Sequence, residues 1–295
     1  MRVPADMIPW LLLMACRPQP VLDLAPDPGR SGVDGAAGPY GVAHLERTAQ
    51  ARVTDVVRYE VAWPATADGA YAPGAGACDV VMFLHGGLVH PDQYRWLQTH
   101  WASRGYCVVV PEHDLQLAIA ESDNASVALD DLLARPPEVL EGRVGDGAVV
   151  MGHSLGGAVA AIRWVADERF EGLGLLASWP AGSTPVEDQA GRPSLSIIGS
   201  VDDQGEAPPI AHAQSQRFPE PHWFGVIDGM NHYDWADGAS DADLAGDGVP
   251  TRPRADTRRD ALRVIDAWLD AWLRGDAAAF DALDTRSFPN VEPTP

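Results

Sequence analysis

The 295-residue sequence predicts an α/β fold, with a mostly parallel central sheet, helices on both faces and no large lid domain. Three observations carry that expectation. Short, continuous apolar runs such as Val80-Val81-Met82-Phe83-Leu84 recur along the chain, as strands buried on both faces of a parallel sheet do. Segments with apolar residues at helical spacing alternate with them. Finally, Val149-Val150-Met151 leads through Gly152-His153-Ser154-Leu155-Gly156-Gly157 directly into an alanine-rich helical segment. That is a strand, a sharp turn and a helix in succession, with a serine at the turn.

The elements follow in order. Residues 41–48 and 54–63 read as strands, the second from the alternation in Val57-Arg58-Tyr59-Glu60-Val61. Strand 80–84 comes next. Helix 92–104 places Tyr94, Leu97 and Trp101 on one face. Strand 107–110 precedes helix 122–134, which ends before Pro136-Pro137 because the residue before a proline is driven out of the helical region. Strand 147–151, helix 155–168 and strand 172–177 follow. Residues 178–192 form a loop too short to fold into a lid. Strand 194–199, helix 208–217, strand 222–227 and helix 256–274 complete the series. The last helix carries Ala261, Leu262, Ile265, Trp268, Leu269 and Trp272 at helical spacing. Trp96, Trp101, Trp268 and Trp272 all sit on apolar helical faces, which assigns them to the core.

The turn at Ser154 has chemical consequences. A serine hydroxyl is a weak nucleophile unless a base reaches it unhindered, and a strained strand-to-helix turn lifts it clear of the sheet. The next amide, that of Leu155, opens a helix and can donate to a developing oxyanion. An acid and then a histidine should follow downstream. Asp202 and Asp203 come just after the run Leu195-Ser196-Ile197-Ile198-Gly199, and a carboxylate there can orient an imidazole. Asp202 is the preferred acid and Asp203 the alternative. His232 follows Trp223-Phe224-Gly225-Val226-Ile227 and is the preferred base over His212 and His222, neither of which follows a strand at the right end. Upstream, His85-Gly86-Gly87 ends strand 80–84. The loop there supplies a second oxyanion amide, Gly87 or alternatively Leu88. His85, His113, His153 and Trp179 lie at strand ends or beside the nucleophile and are candidate pocket residues.

These motifs resemble those of the α/β-hydrolases. More narrowly, the chain is similar to the lidless bacterial group of dienelactone hydrolases, platelet-activating-factor acetylhydrolases and cutinase-like polyester hydrolases. The resemblance rests on FLHGG (83–87), WASRGYCVVVPEHD (101–114), MGHSLGG (151–157), IIGSVDD (197–203) and GMNHYDW (229–235), and it covers about residues 38 to 284. It implies an α/β-hydrolase fold and a serine hydrolase of carboxylic esters, acting through Ser154, His232 and Asp202 by an acyl-enzyme, with no cofactor and no metal. The implied substrate is a small-molecule or polymeric ester. A cofactor-free perhydrolase or acyltransferase on the same triad is one alternative reading. A catalytically inactive binding protein of the cell envelope is another. The long acidic segment after His232 departs from the family pattern.

Composition narrows the partners. Acidic residues outnumber basic ones 42 to 21, giving a net charge of −21, and every basic residue is arginine. Such a chain repels nucleic acid. Asp234, Asp237, Asp241, Asp243 and Asp247 crowd the segment 234–247, but they lack the alternating register of a calcium loop and read as a solvated acidic loop. The chain is expected to be a monomer.

The N-terminus reads as a targeting signal. Residues 7–16 are an apolar stretch too short to span a bilayer, and Leu13-Met14-Ala15-Cys16 resembles a bacterial lipobox with Cys16 as the lipidated residue. The expected organisation is a signal peptide over 1–16, a flexible tether over 17–38, a catalytic domain over 39–284 and a disordered tail over 285–295. Location is then the bacterial cell envelope, lipid-anchored or secreted, with the membrane touched only through the lipid. Cys78 and Cys107 each open a predicted strand. They are either buried thiols or, in an oxidising compartment, a disulfide.

Overall fold

A computed structural model describes residues 21–23, 37–51, 55–113, 118–119, 121–240, 244–285 and 288–293. Ten strands form one sheet: β1 (Val21–Asp23), β2 (Gly41–Gln50), β3 (Val56–Ala65), β4 (Cys78–Leu84), β5 (Cys107–Pro111), β6 (Val144–His153), β7 (Gly172–Leu176), β8 (Ser194–Gly199), β9 (His222–Ile227) and β10 (Val291–Pro293). Their order is β1-β2-β3-β5-β4-β6-β7-β8-β9-β10. The run from β5 through β9 is parallel. Antiparallel strands close both ends.

The period of two along each strand divides the core. On β4, Val81 and Phe83 face one side and pack with Trp101 of α1 (Arg95–Ser103) and Trp268 of α5 (Arg254–Arg274). Val80, Met82 and Leu84 face the other, against Leu129 of α2 (Asn124–Ala134) and Trp164 of α3 (Leu155–Ala166), while α4 (Ala207–Ser215) lies between β8 and β9 in the chain. Because both faces are covered, β4 must be apolar at consecutive positions, and this is why it reads as an unbroken run. Burying each such large side chain stabilises the fold by roughly 1.5–3 kcal/mol. Trp101 and Trp268 are fully buried, while Trp96 and Trp272 pack partly exposed against the same cluster.

The structure adds elements to those read from the sequence. Part of the segment read as a tether is a strand, since Val21–Asp23 pairs with β2, whose outer backbone groups are open to a partner. The tail is likewise ordered over Val291–Pro293, which pairs with β9. Phe288 packs edge-on against Trp223 at 5.8 Å, and two buried side chains, Phe288 and Val291, suffice to seat the strand. An unanticipated helix, α6 (Ala277–Thr285), follows α5 after Gly275, whose φ of 65° ends that helix. Its Phe280 meets Trp272 at 4.9 Å. The helix expected over 92–104 begins as a tighter turn, Pro91–Tyr94, before α1.

Cys78 and Cys107 are joined in a disulfide that ties β4 to the adjacent β5. The loop 178–192 contains only a short turn, Val186–Asp188, so nothing folded there covers the C-terminal ends of the strands.

Candidate active site

Ser154 stands between β6 and α3 with φ 54° and ψ −125°. That conformation costs an L-residue on the order of 1–3 kcal/mol and persists only where neighbours enforce it. Here the Ser154 N–H donates to the Leu176 carbonyl at 3.0 Å, and the Ser154 carbonyl accepts from Gly157 N–H at 3.0 Å and from the Ser178 hydroxyl at 2.6 Å. The flanking glycines are a packing requirement. A Cβ on Gly152 would lie 2.3 Å from the Gly156 carbonyl oxygen, and one on Gly156 would lie 2.2 Å from that of Leu84. Helix α3 is pressed against β4 and β6 at the one place where the serine must protrude.

Asp202 opens a turn after β8, and His232 opens a turn after β9. The tertiary fold brings all three side chains together. His232 Nε2 lies 2.9 Å from Ser154 Oγ, and His232 Nδ1 lies 3.1 and 3.2 Å from the two Asp202 oxygens. The carboxylate can only accept, so Nδ1 carries the proton and Nε2 is left to accept from the serine hydroxyl. Asp202 is 2% exposed and hydrogen-bonded to His232, whereas the Asp203 side chain is exposed.

The electrostatics follow from that burial. Burial alone would depress the His232 pKa. The Asp202 hydrogen bond and charge, with the further charges of Asp247 and Asp203, outweigh it and hold the imidazole above its ordinary 6.5. Burial lifts the Asp202 carboxyl above its usual value, His232 pulls it back, and Asp247 and Asp203 add to the rise.

A second layer fixes this frame. Gly86 N–H donates to the Tyr94 hydroxyl at 3.0 Å, and that hydroxyl lies 2.8 Å from His153 Nδ1. His153 Nε2 lies 3.1 Å from the His232 carbonyl oxygen. Since a carbonyl only accepts, His153 carries its proton on Nε2 and takes the Tyr94 proton in a hydrogen bond at Nδ1. Burial drives the His153 pKa well below the ordinary value, with the nearby His232 adding to the effect, so this ring stays neutral. His85 is also locked. Its Nδ1 donates to the Gly86 carbonyl at 3.0 Å and its Nε2 accepts from His113 N–H at 3.3 Å. Burial lowers its pKa to about 4.

His85 and His153 are buried beneath the site, and His113 stacks on His85 with ring centroids 3.6 Å apart. None of the three lines the cavity beside Asp202 and His232. Trp179 does line this cavity of about 310 Å³, together with Ala207, Tyr233, Asp203 and the triad's own Asp202 and His232. Leu155 is the first residue of α3, where a backbone N–H has no acceptor within the helix. Gly87 lies against Leu155; a Cβ added to it would come within 3.1 Å of the leucine side chain. Leu88, by contrast, is 77% exposed with φ 60°. Cys16 lies outside the described residues.

Two residues escaped the sequence reading. Tyr94 was legible only as an apolar position on a helical face. Asp247 was one of five aspartates in a segment read as solvated. In the structure Asp234 is buried, accepting from Thr257 Oγ1 at 3.0 Å, and Asp237 pairs with Arg258 at 2.9 Å. Asp247 is buried as well, while Asp241 and Asp243 lie outside the described residues.

A family model described as the alpha/beta hydrolase family matches residues 80–255, more than half of the chain, and the protein belongs to that family. The match runs from β4 past His232 and so contains Ser154 and Asp202 as well. Comparison with curated proteins yields no match.

Proposed function

We propose that this hydrolase cleaves carboxylic esters through an acyl-enzyme on Ser154. The observation that carries the reading is the continuous chain Ser154 Oγ–His232–Asp202, with contacts of 2.9 and 3.1 Å. His232 Nε2 takes the hydroxyl proton as Oγ attacks the ester carbonyl. Asp202 stabilises the imidazolium that results. The amides of Leu155 and Gly87 receive the negative charge that develops on the carbonyl oxygen. The imidazolium then protonates the departing alcohol. Water, deprotonated by the same Nε2, releases the acid and restores Ser154.

Esters are favoured over amides because an alkoxide leaving group needs less help from the imidazolium proton. The cavity beside His232, walled by Trp179 and Tyr233, borders the proposed base and offers a place for part of an ester substrate. The Cys78–Cys107 disulfide supports an oxidising compartment, in line with a lipid-anchored or secreted protein of the bacterial envelope. Expression of Cys16→Ser with membrane fractionation tests the anchor; unchanged partitioning rejects it.

The function is tested with p-nitrophenyl esters from acetate to palmitate and with fluorophosphonate labelling. Esters of the series should be turned over and Ser154 should be the labelled residue. Ser154→Ala should lose at least ~10³-fold in kcat. Retention of more than about a tenth of wild-type kcat by that variant would remove Ser154 from the mechanism.

A further inference from the structure

The segment after His232 ends on an aspartate whose contacts bracket both partners of the serine. Asp247 is 8% exposed. Its Oδ1 accepts the Asp203 N–H at 3.0 Å and the Gly248 N–H at 2.8 Å, and its Oδ2 accepts the Tyr233 N–H at 3.1 Å. One carboxylate therefore holds the amide immediately after the acid and the amide immediately after the base. These two amides lie 44 and 14 residues away from it along the chain. The adjoining residue repeats the pattern on the other side. The Gly248 carbonyl accepts from Asn231 Nδ2 at 2.9 Å, just before His232, and a Cβ on Gly248 would lie 1.8 Å from the Val201 carbonyl oxygen, just before Asp202. The dipeptide is wedged between the two loops.

The turn it grips is strained. Asp203 and Gln204 have φ of 47° and 55°, left-handed values unfavourable for residues with a Cβ. A carboxylate accepting three N–H groups supplies the fixed point.

We propose that Asp247 is a positioning residue, which holds Asp202 and His232 at hydrogen-bonding separation and sets a second carboxylate behind the imidazolium that forms when Ser154 attacks. The inference rests on the reading of His232 as the catalytic base. The charged and titratable groups facing His232 are Asp202, Asp203, Asp247, the edge-on ring of Tyr233 at 5.3 Å and the neutral ring of His153, whose centroid is 4.7 Å away. Asp247 is among the charges that favour protonated His232, after Asp202 itself. An inert structural brace would stabilise the loops without altering the titration of that imidazole. The two roles are separable on this ground.

Asp247→Asn keeps the shape and one acceptor oxygen but removes the charge and turns an amide toward one of the three donors. With p-nitrophenyl acetate, plateau kcat should fall by about 10- to 100-fold while KM changes little, since a small misplacement of reacting groups is costly. The acid limb of the pH profile should move to lower pH. Asp247→Glu restores the charge, so its limb should return toward the wild-type position even if kcat remains low. NMR titration of the His232 imidazole reports the same shift without any substrate. It therefore stays informative even if wild-type enzyme hydrolyses no ester and the proposed function fails. If neither variant folds, hydrogen exchange on wild-type enzyme decides. The Asp203 and Tyr233 amides should be strongly protected, and free exchange at both overturns the proposal. A folded Asp247→Asn with wild-type kcat and an unmoved His232 titration overturns it equally.

Discussion

His153 Nε2 stands 3.1 Å from the backbone carbonyl oxygen of His232, so the residue that precedes Ser154 in sequence supports His232 in space. Through Tyr94 the same ring reaches Gly86, next to the proposed oxyanion donor Gly87. The segments that carry Ser154, His232 and Gly87 are thus tied by neutral hydrogen bonds whose direction is fixed by the carbonyl at one end.

Tyr94→Phe should therefore act on turnover. It leaves the Gly86 N–H and His153 Nδ1 without their partner inside the core, at a cost of about 1–3 kcal/mol for each buried group. A lower melting temperature and a loss of roughly 3- to 100-fold in kcat are expected, short of the ~10²–10³ for deleting an oxyanion donor outright. Steady-state kinetics and thermal unfolding check both. Wild-type kcat in this variant would disconnect the chain from catalysis.

Asp202→Asn and Asp203→Asn should differ sharply. Asp202 is buried on His232 Nδ1, whereas the exposed Asp203 gives its backbone N–H to Asp247 and acts on His232 only through its charge. The first substitution presents an amide where a charge orients the imidazole and should cost up to ~10⁴-fold in kcat. The second should cost less than ~10-fold. The opposite ranking would move the acid by one residue.

The pH profile of kcat/KM should rise along one limb as His232 loses its proton. The carboxylates around His232 outweigh its burial, which places the limb above pH 6.5. Added salt should move it slightly downward, because screening weakens the field of a chain with net charge −21. The sign for stability is the reverse of that for activity. A raised imidazole pKa contributes stability that is complete below the unfolded pKa and is lost as pH rises through the folded one. Activity should grow over the same window in which this increment of stability disappears. Stopped assays and urea melts across pH 5–9 test the pair of trends, and a limb below pH 6 would contradict the arrangement of charges.

Reduction of Cys78–Cys107 should destabilise the enzyme without touching the triad. The bond closes a loop of sequence separation 29 between neighbouring strands and should contribute about 2–4 kcal/mol. In a domain of this size, that corresponds to a melting temperature lower by roughly 5–15 °C. Both cysteines are fully buried, so a thiol reductant alone should act slowly and a reductant with mild denaturant quickly. Thiol titration alongside thermal melts of the enzyme and of a Cys78→Ser/Cys107→Ser variant measures this. Equal melting temperatures would leave the bond without a structural role.

What the sequence determined by itself is local and periodic. Residues 80–84 had to be apolar throughout because both faces of β4 are covered, and that run marks a parallel strand wherever it lies. Ser154 was legible because the strain of its turn and the close approach of α3 restrict the residues around it to glycine, which writes the site into five consecutive positions. His232 and Asp202 were legible for a weaker reason: each ends a short apolar strand, at the edge where the loops converge. Only the tertiary structure could choose between Asp202 and Asp203, since neighbouring residues in a turn point in different directions and one of them reaches His232 Nδ1. It alone could place His85 and His153 under the site instead of in its wall. It alone could lift Asp247 out of an acidic run, because hydrogen bonds between loops 44 residues apart leave no period in the sequence. The strand Val291–Pro293 belongs to the same class. Two apolar side chains in a polar segment carry no pattern of their own, and it is the open edge of β9 that makes them a strand.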